Sequence, residues 1–172
     1  SQIEPLLSGG TGSVSHTEEV PSFLPDRFEP GTPNIPGILG LHAALCDLEQ
    51  TDMGKLHQHE LELTQYFING LMQMDPSEST LRAIGKHNTI ERTSVVSVQT
   101  LQTDMARVAY EMDDTYGIMT RVGLHCAPSA HKTLGTYPEG TIRFSFGPEN
   151  THHEVDLALH ALAEITGSPY HL

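Results

Sequence analysis

The chain has 172 residues, which is enough for one domain with a buried core but too few for two large domains. Its formal net charge is -13, from 9 Lys and Arg against 22 Asp and Glu, and this argues against nucleic acid or an anionic membrane as a partner because like charges repel. No apolar run approaches the ~18 residues that span a bilayer, and with no leader and only two cysteines, Cys46 and Cys126, we expect a reducing cytoplasm.

Residues 1–34 are rich in Gly, Pro, Ser and Thr and predict irregular structure. With no helix or strand before them, they look like a loop-rich continuation of something that is missing from this sequence. From Pro36 the pattern becomes helical, and residues 35–172 are predicted to form one small domain. Apolar side chains of this first helix recur at spacings of three and four: Ile38, Leu41, Leu45 and Leu48.

Three further helices and four strands are expected. A second helix covers about residues 55–73, a third covers about 103–116, and the last begins with Thr151 and Glu154 in a capping box. The strands are expected over four short segments: 81–84, 93–98, 118–122 and 141–146. This order of elements predicts an α+β fold, in which helices pack on a small, mainly antiparallel sheet.

Eleven histidines raise the question of a metal site. His57 and His59 are two residues apart and would point to different sides of a helix, while His152 and His153 are adjacent. Neither pair has the spacing of metal ligands. We interpret these histidines as helix-surface side chains and expect no metal.

The two cysteines occupy different settings. Cys46 lies in an apolar helical segment, which predicts a buried and unreactive thiol. Cys126 lies in a predicted long loop between two strands, where a thiol is exposed and a nearby cation favours the reactive thiolate. Four local side chains could supply that cation: Arg121, His125, His131 and Lys132.

Arg143 is a candidate anion-binding residue. In the segment "TIRFSFG" the alternation places Ile142, Phe144 and Phe146 on one face of a strand and Arg143 on the other. A guanidinium fixed on a strand can bind a carboxylate through two hydrogen bonds. Spacing alone leaves open an ordinary ion pair with one of the many acidic side chains.

Several motifs together resemble one family. "RVGLHCAP" and "GTIRFSFGPENTHHEVD" resemble the C-terminal segment of the class V, pyridoxal-phosphate-dependent cysteine desulfurases, the NifS-like family. "DRFEPGTPNIPGILGLHAAL" and the preceding "GGTGS" resemble earlier segments of the same family. The resemblance covers essentially the whole chain, and it implies the small C-terminal domain of a fold-type I enzyme.

The resemblance implies roles for individual residues. Cys126 matches the cysteine that attacks the sulfur of bound L-cysteine and becomes a persulfide. Arg143 matches the arginine that holds the substrate α-carboxylate, and Arg121 matches the second active-site arginine. We group His125 with these substrate-binding residues.

The resemblance also implies pyridoxal 5'-phosphate as cofactor and a homodimer. Thr32, with Gly31, matches a segment that reaches across the dimer to the cofactor phosphate of the other subunit. Lys132 lies in "SAHKTLG", which looks like a cofactor-lysine motif, but in this family that lysine belongs to the large domain. Lys132 is therefore expected to be a surface cation near the thiol, and the chain is expected to be inactive alone.

Three functions remain open. The first is the small domain of a cysteine desulfurase, or of a relative acting on selenocysteine, that passes sulfur to an acceptor protein, as in iron–sulfur cluster assembly. The second is a class V aminotransferase or lyase without sulfur transfer. The third is a cofactor-free module that accepts sulfur on Cys126 or binds a partner.

Overall fold

A computed structural model describes residues 3–169. The chain divides into two compact units, Ser1–Thr51 and Asp52–Leu172. Within the described residues, no helix combines the length and the apolar character needed to cross a bilayer.

The first unit contains a short 3-10 helix, Asp26–Phe28, and helix α1, Ile35–Gln50. Asn34 caps α1, because its side-chain oxygen accepts a hydrogen bond from the Gly37 N–H at 3.1 Å. The predicted helix is confirmed, yet it buries none of its residues. Its large apolar side chains are each at least 47% exposed: Ile35, Ile38, Leu39, Leu41, Leu45 and Leu48.

Cys46, on α1, differs from its prediction. It is only partly buried, and its sulfur lies 3.8 Å from both ring nitrogens of His42. The prediction of a buried thiol is wrong because the apolar face that carries it is exposed rather than packed.

The second unit is a four-stranded antiparallel sheet with helices packed on it. The strands run in the order β1-β2-β4-β3. In chain order the elements are α2 Met53–Met74, β1 Leu81–Ile84, β2 Val95–Thr100, α3 Met105–Tyr116, β3 Arg121–Gly123, α4 Pro128–Leu134, β4 Thr141–Ser145 and α5 His152–Thr166. The predicted α+β fold is confirmed.

The core lies between one face of the sheet and the helices α2, α3 and α5. Phe67 of α2 meets Phe144 of β4 with ring centroids 4.7 Å apart. Gly70 of α2 lets Leu159 of α5 approach so closely that an added Cβ would lie 2.3 Å from it. The predicted inward residues of α5 are buried: Val155, Ala158, Leu159 and Leu162.

Several boundaries and one element differ from the prediction. The expected long loop after β3 contains α4, a helix of seven residues that is too short to show a periodic pattern. Its signals were Pro128 in the first turn and Gly135, which ends it with a left-handed φ of 68°. β3 is limited to three residues, since only Arg121–Gly123 pairs with β4.

The remaining face of the sheet carries polar side chains. Residues that alternate with the core residues of β4 and β2 include Arg143 and Ser97, which are register partners. Arg121 of β3 is the register partner of Arg143 on the other side. This face and the turn after β3 form the candidate site.

Candidate active site

Cys126 sits in a tight turn between β3 and α4. The Ala127 N–H donates to the Leu124 carbonyl at 2.8 Å and closes the turn. His125 and Cys126, the two residues in between, have φ values of 50° and 60°. Residues other than glycine rarely adopt this left-handed backbone conformation, which costs about 1–2 kcal/mol per residue. Such strain is concentrated at functional sites.

The Cys126 thiol is exposed and has a cation beside it. Arg121 Nη2 lies 3.9 Å from the Cys126 sulfur, within reach of an N–H···S hydrogen bond. The guanidinium is a charged group in contact with this sulfur. The structure therefore places one of the four candidate cations directly at the sulfur.

The other candidate cations have different surroundings. The Lys132 ammonium lies 5.1 Å from the centre of the Tyr137 ring. His131 is buried, with Nδ1 2.6 Å from Thr136 Oγ1. His125 lies with Nε2 3.2 Å from Thr141 Oγ1.

Arg121 and Arg143 face each other directly across β3 and β4. Like charges in this position destabilise a sheet. The Arg143 Nε is buried without a hydrogen-bond partner, and no carboxylate of residues 3–169 forms an ion pair with either guanidinium. The pair is suited to bind an anion, and the ordinary ion pair left open for Arg143 does not occur in the described chain.

The surroundings of His125 favour its neutral form. Burial lowers its pKa from the ordinary value of 6.5, and the charges of Arg143, His131 and Arg121 lower it further, while a hydrogen bond to Thr141 acts in the opposite direction. Its Nδ1 is buried and has no hydrogen-bond partner. The site thus combines a thiol, two guanidinium groups and an imidazole.

Comparison with known proteins identifies the family of this chain. The family profile described as "Aminotransferase class-V" matches residues 1–158. The chain belongs to the class-V aminotransferase family. A "Probable cysteine desulfurase" of Methanothermobacter thermautotrophicus is 31% identical over 169 residues, and one of Pyrococcus abyssi is 34% identical over 169 residues.

Solved structures of this family share the fold. The apo cysteine desulfurase of Thermococcus onnurineus NA1 is 33% identical, with a TM-score of 0.76 over 95% of this chain. The Escherichia coli cysteine desulfurase CsdA, in its S-sulfonic acid form, is 26% identical, with a TM-score of 0.68 over 94% of this chain. The chain spans 41% and 40% of the length of the two sequence relatives, and 39% and 38% of the two structures.

The class-V family implies pyridoxal phosphate, which is held covalently by a lysine. The three lysines of the chain are all exposed and occupied elsewhere. Lys55 pairs with Asp52 at 3.5 Å, Lys86 pairs with Glu91 at 2.6 Å, and Lys132 lies over an aromatic ring. The residues of this chain therefore do not fit the cofactor by themselves. They do supply a thiol that can act as a nucleophile and two arginines that can bind an anionic substrate.

The two predicted cofactor-binding residues lie in the first unit. Gly31 has a left-handed φ of 85°, and its N–H donates to the Gly10 carbonyl at 2.8 Å. Thr32 is exposed at the start of the segment that leads into α1. Their role at the cofactor phosphate stays a prediction.

The histidines that were considered as metal ligands make other contacts. Among residues 3–169 no three His, Cys, Asp or Glu side chains group as metal ligands. His59 Nε2 instead lies 2.9 Å from the Asn150 carbonyl, and His152 contacts the Tyr66 ring edge to face. These histidines contribute to packing at the surface of α2 and α5.

Sequence reasoning missed the residues that support the turn. Thr141 shares a strand face with Arg143 but is 1% exposed, because the His125 ring covers it. Gly140 comes so close to β3 that an added Cβ would lie 2.3 Å from the Gly123 carbonyl. The glycines in "RVGLHC" and "PEGT" were the available signal, since close backbone approach is a common reason for glycine in a strand.

Proposed function

We propose that this chain supplies the nucleophilic thiol and the substrate-binding arginines of a pyridoxal-phosphate-dependent cysteine desulfurase. One observation carries the proposal: the exposed Cys126 thiol sits in a strained turn, 3.9 Å from Arg121, whose register partner Arg143 has no acidic partner among residues 3–169. The names of relatives at 31–34% identity support the same activity.

The chemistry of this chain is substrate orientation and sulfur capture. Arg143, with Arg121 opposite, binds the α-carboxylate of L-cysteine and so brings the substrate sulfur to Cys126. The Cys126 thiolate attacks that sulfur, a sulfur–sulfur bond forms, and the carbon–sulfur bond of the substrate breaks. L-Alanine is the organic product, and the sulfur remains on Cys126 as a persulfide. The electron pair of the broken bond remains on the carbon, which takes up a proton. A bound cofactor would supply an electron sink for the substrate.

The alternatives fit the site less well. An aminotransferase or lyase without sulfur transfer has no use for an exposed thiol held in a strained turn beside an arginine. A selenocysteine-acting enzyme would use the same side chains, so the amino acid accepted is a question for assay. A cofactor-free module that accepts sulfur or binds a partner would leave the unpaired arginine couple without a ligand.

The proposed enzyme is a cytoplasmic homodimer that delivers sulfur to an acceptor protein, as iron–sulfur cluster assembly requires. The exposed apolar side chains of α1 support association, since contiguous exposed apolar surface marks interaction sites. Thr32 and Gly31 would then serve the cofactor phosphate of the other subunit. Two unpaired cysteines support a reducing compartment.

The decisive experiment uses the longer enzyme that contains this chain. Cys126→Ala is expected to abolish sulfide release from L-cysteine while the cofactor absorbance persists, and Cys46→Ala serves as the matched control with full activity. Arg143→Ala is expected to raise KM for L-cysteine. Full turnover by Cys126→Ala would overturn the proposal, and an unchanged KM would remove Arg143 from the substrate site.

The inactivity of the 172-residue chain is tested separately. We expect no covalent pyridoxal phosphate after borohydride reduction at a stoichiometric cofactor concentration, because all three lysines are exposed and contact other side chains. A stable adduct at Lys132 that Lys132→Arg removes would contradict this expectation.

A further inference from the structure

We propose that His131 is a positioning residue that holds the Cys126 turn in its left-handed conformation and so keeps the thiol beside Arg121. The inference rests on the proposed function, because that function makes Cys126 the nucleophile. It concerns a side chain that contacts neither substrate nor cofactor in the proposed mechanism.

The turn requires support from outside. His125 and Cys126 are consecutive residues with positive φ, and neither is glycine. Within the turn, one backbone hydrogen bond, from the Ala127 N–H to the Leu124 carbonyl, opposes relaxation to an ordinary conformation. Strained backbone of this kind persists only where its surroundings hold it.

His131 touches both ends of the strained segment. Its backbone N–H donates to the Ala127 carbonyl at 3.2 Å and so ties the end of the turn to α4. Its ring lies against the His125 ring, with the centroids 5.7 Å apart. Relaxation of the turn would disturb both contacts.

His131 is itself fixed by Thr136. His131 is 6% exposed and Thr136 is fully buried, and Nδ1 of the first lies 2.6 Å from Oγ1 of the second. The Thr136 N–H also donates to the His131 carbonyl at 2.9 Å, and the Thr136 carbonyl accepts from the Gly140 N–H at 2.7 Å. The His131–Thr136 pair thus joins α4 to the segment that enters β4, where Arg143 lies.

A purely structural role makes a different prediction. If the pair only stabilised the fold, its loss would lower the unfolding midpoint and leave the surroundings of the thiol in the folded protein unchanged. If it positions the turn, its loss separates the thiol from Arg121 even in folded protein. The two roles are distinguished by whether the positive charge of Arg121 still attracts an anionic reagent to the thiol.

The experiment compares alkylation of Cys126 by iodoacetate, which is anionic, and iodoacetamide, which is neutral. It uses the 172-residue chain with Cys46→Ser, so that one thiol remains. Both reagents react with the thiolate, so the ratio of the two rate constants cancels the thiolate fraction and reports the attraction of the anion to nearby cations. In the otherwise unchanged protein we expect a ratio well above that of glutathione.

Thr136→Val removes the hydroxyl at nearly constant volume, and it should lower this ratio about fivefold, the factor that two unit charges 4 Å apart contribute in water. Thr136→Ser keeps the hydroxyl and should keep the ratio. His131→Leu should lower it like Thr136→Val, which covers the case in which one variant fails to fold. Circular dichroism establishes that each compared variant is folded.

An unchanged ratio in folded Thr136→Val or folded His131→Leu would overturn the inference, as would a starting ratio equal to that of glutathione. The assay uses no cofactor and no amino-acid substrate. Its failure is therefore distinguishable from a failure of the desulfurase proposal, which sulfide release by the longer enzyme tests.

Discussion

Replacing Arg143 by Met should make the isolated chain more stable while it removes the proposed carboxylate-binding group. Arg143 directly opposes Arg121 across the sheet, and its Nε is buried without a partner. Methionine retains much of the unbranched apolar stem and has no charge and no donor to satisfy. Function and stability are therefore expected to change in opposite directions at this position.

The magnitude follows from two costs that the substitution removes. A buried donor without a partner costs about 1–3 kcal/mol. A like-charge pair directly opposite in a sheet adds about 0.2–1 kcal/mol. Because the guanidinium is only partly buried, we expect a gain near the low end, about 1 kcal/mol, which corresponds to about 2–4 °C in Tm for a chain of this size.

The assay is urea unfolding of the 172-residue chain followed by circular dichroism. The matched control is Arg107→Met, the same substitution at an arginine whose Nε lies 2.6 Å from the Glu111 carboxylate on the surface of α3. The control should show a small loss of stability. A lower unfolding midpoint for Arg143→Met than for the unaltered chain would refute the argument, since it would mean that the guanidinium contributes to the fold.

Three further predictions concern the support of the sheet and the site. Asp75 accepts hydrogen bonds from the Thr80 and Leu81 N–H groups. Burial raises the pKa of Asp75, but these bonds and those from Ser77 have the larger combined effect and lower the pKa from 3.8 to about 2. Asp75→Ala should therefore cost at least about 1.5 kcal/mol in urea unfolding at neutral pH, a difference that narrows as the pH falls from 4 towards 2. His125 has a lowered pKa, so the unfolded chain binds its proton first and stability should fall as the pH drops from 7 through 6.5 and below. Gly140→Ala should destabilise the chain by more than the roughly 1–2 kcal/mol of a left-handed φ, because its Cβ would meet the carbonyl of β3 at 2.3 Å.

Each of these has its own control. Gly135→Ala also places a side chain at a positive φ but meets nothing within 4 Å, so a loss as large as that of Gly140→Ala would contradict the steric argument. His125→Gln should flatten stability between pH 7 and 5.5, and an unchanged slope would assign that titration to another group. If the difference in unfolding free energy between the unaltered chain and Asp75→Ala stays constant down to pH 2, the carboxylate charge is not the origin of the effect.

Local patterns predicted most of the fold because they report burial and capping directly. The capping box of Thr151 and Glu154 formed as expected, and the alternation in β4 correctly placed Ile142 and Phe144 in the core and Arg143 on the opposite face. Cys126 was expected to be exposed near a cation, and the structure supplies Arg121.

The parts that escaped prediction depend on distant contacts. No local pattern indicates that Arg121 and Arg143 become register partners, since that follows from the order of strands in the sheet. The burial of His131 and its bond to Thr136 depend on α4, whose seven residues are too few to show a periodic pattern of apolar side chains. α1 shows the reverse case, in which a clear apolar pattern formed a helix whose apolar face stays exposed.

The short connection from β3 to α4 limits how far the sulfur can travel. Only Leu124 to Ala127 separate the strand from the helix, and the thiol is anchored at both sides of its turn. Under the proposed function, a persulfide on Cys126 cannot swing out to a distant recipient. The recipient thiol has to approach Cys126 itself, so the charge of Arg121 beside the sulfur would influence which acceptor receives it.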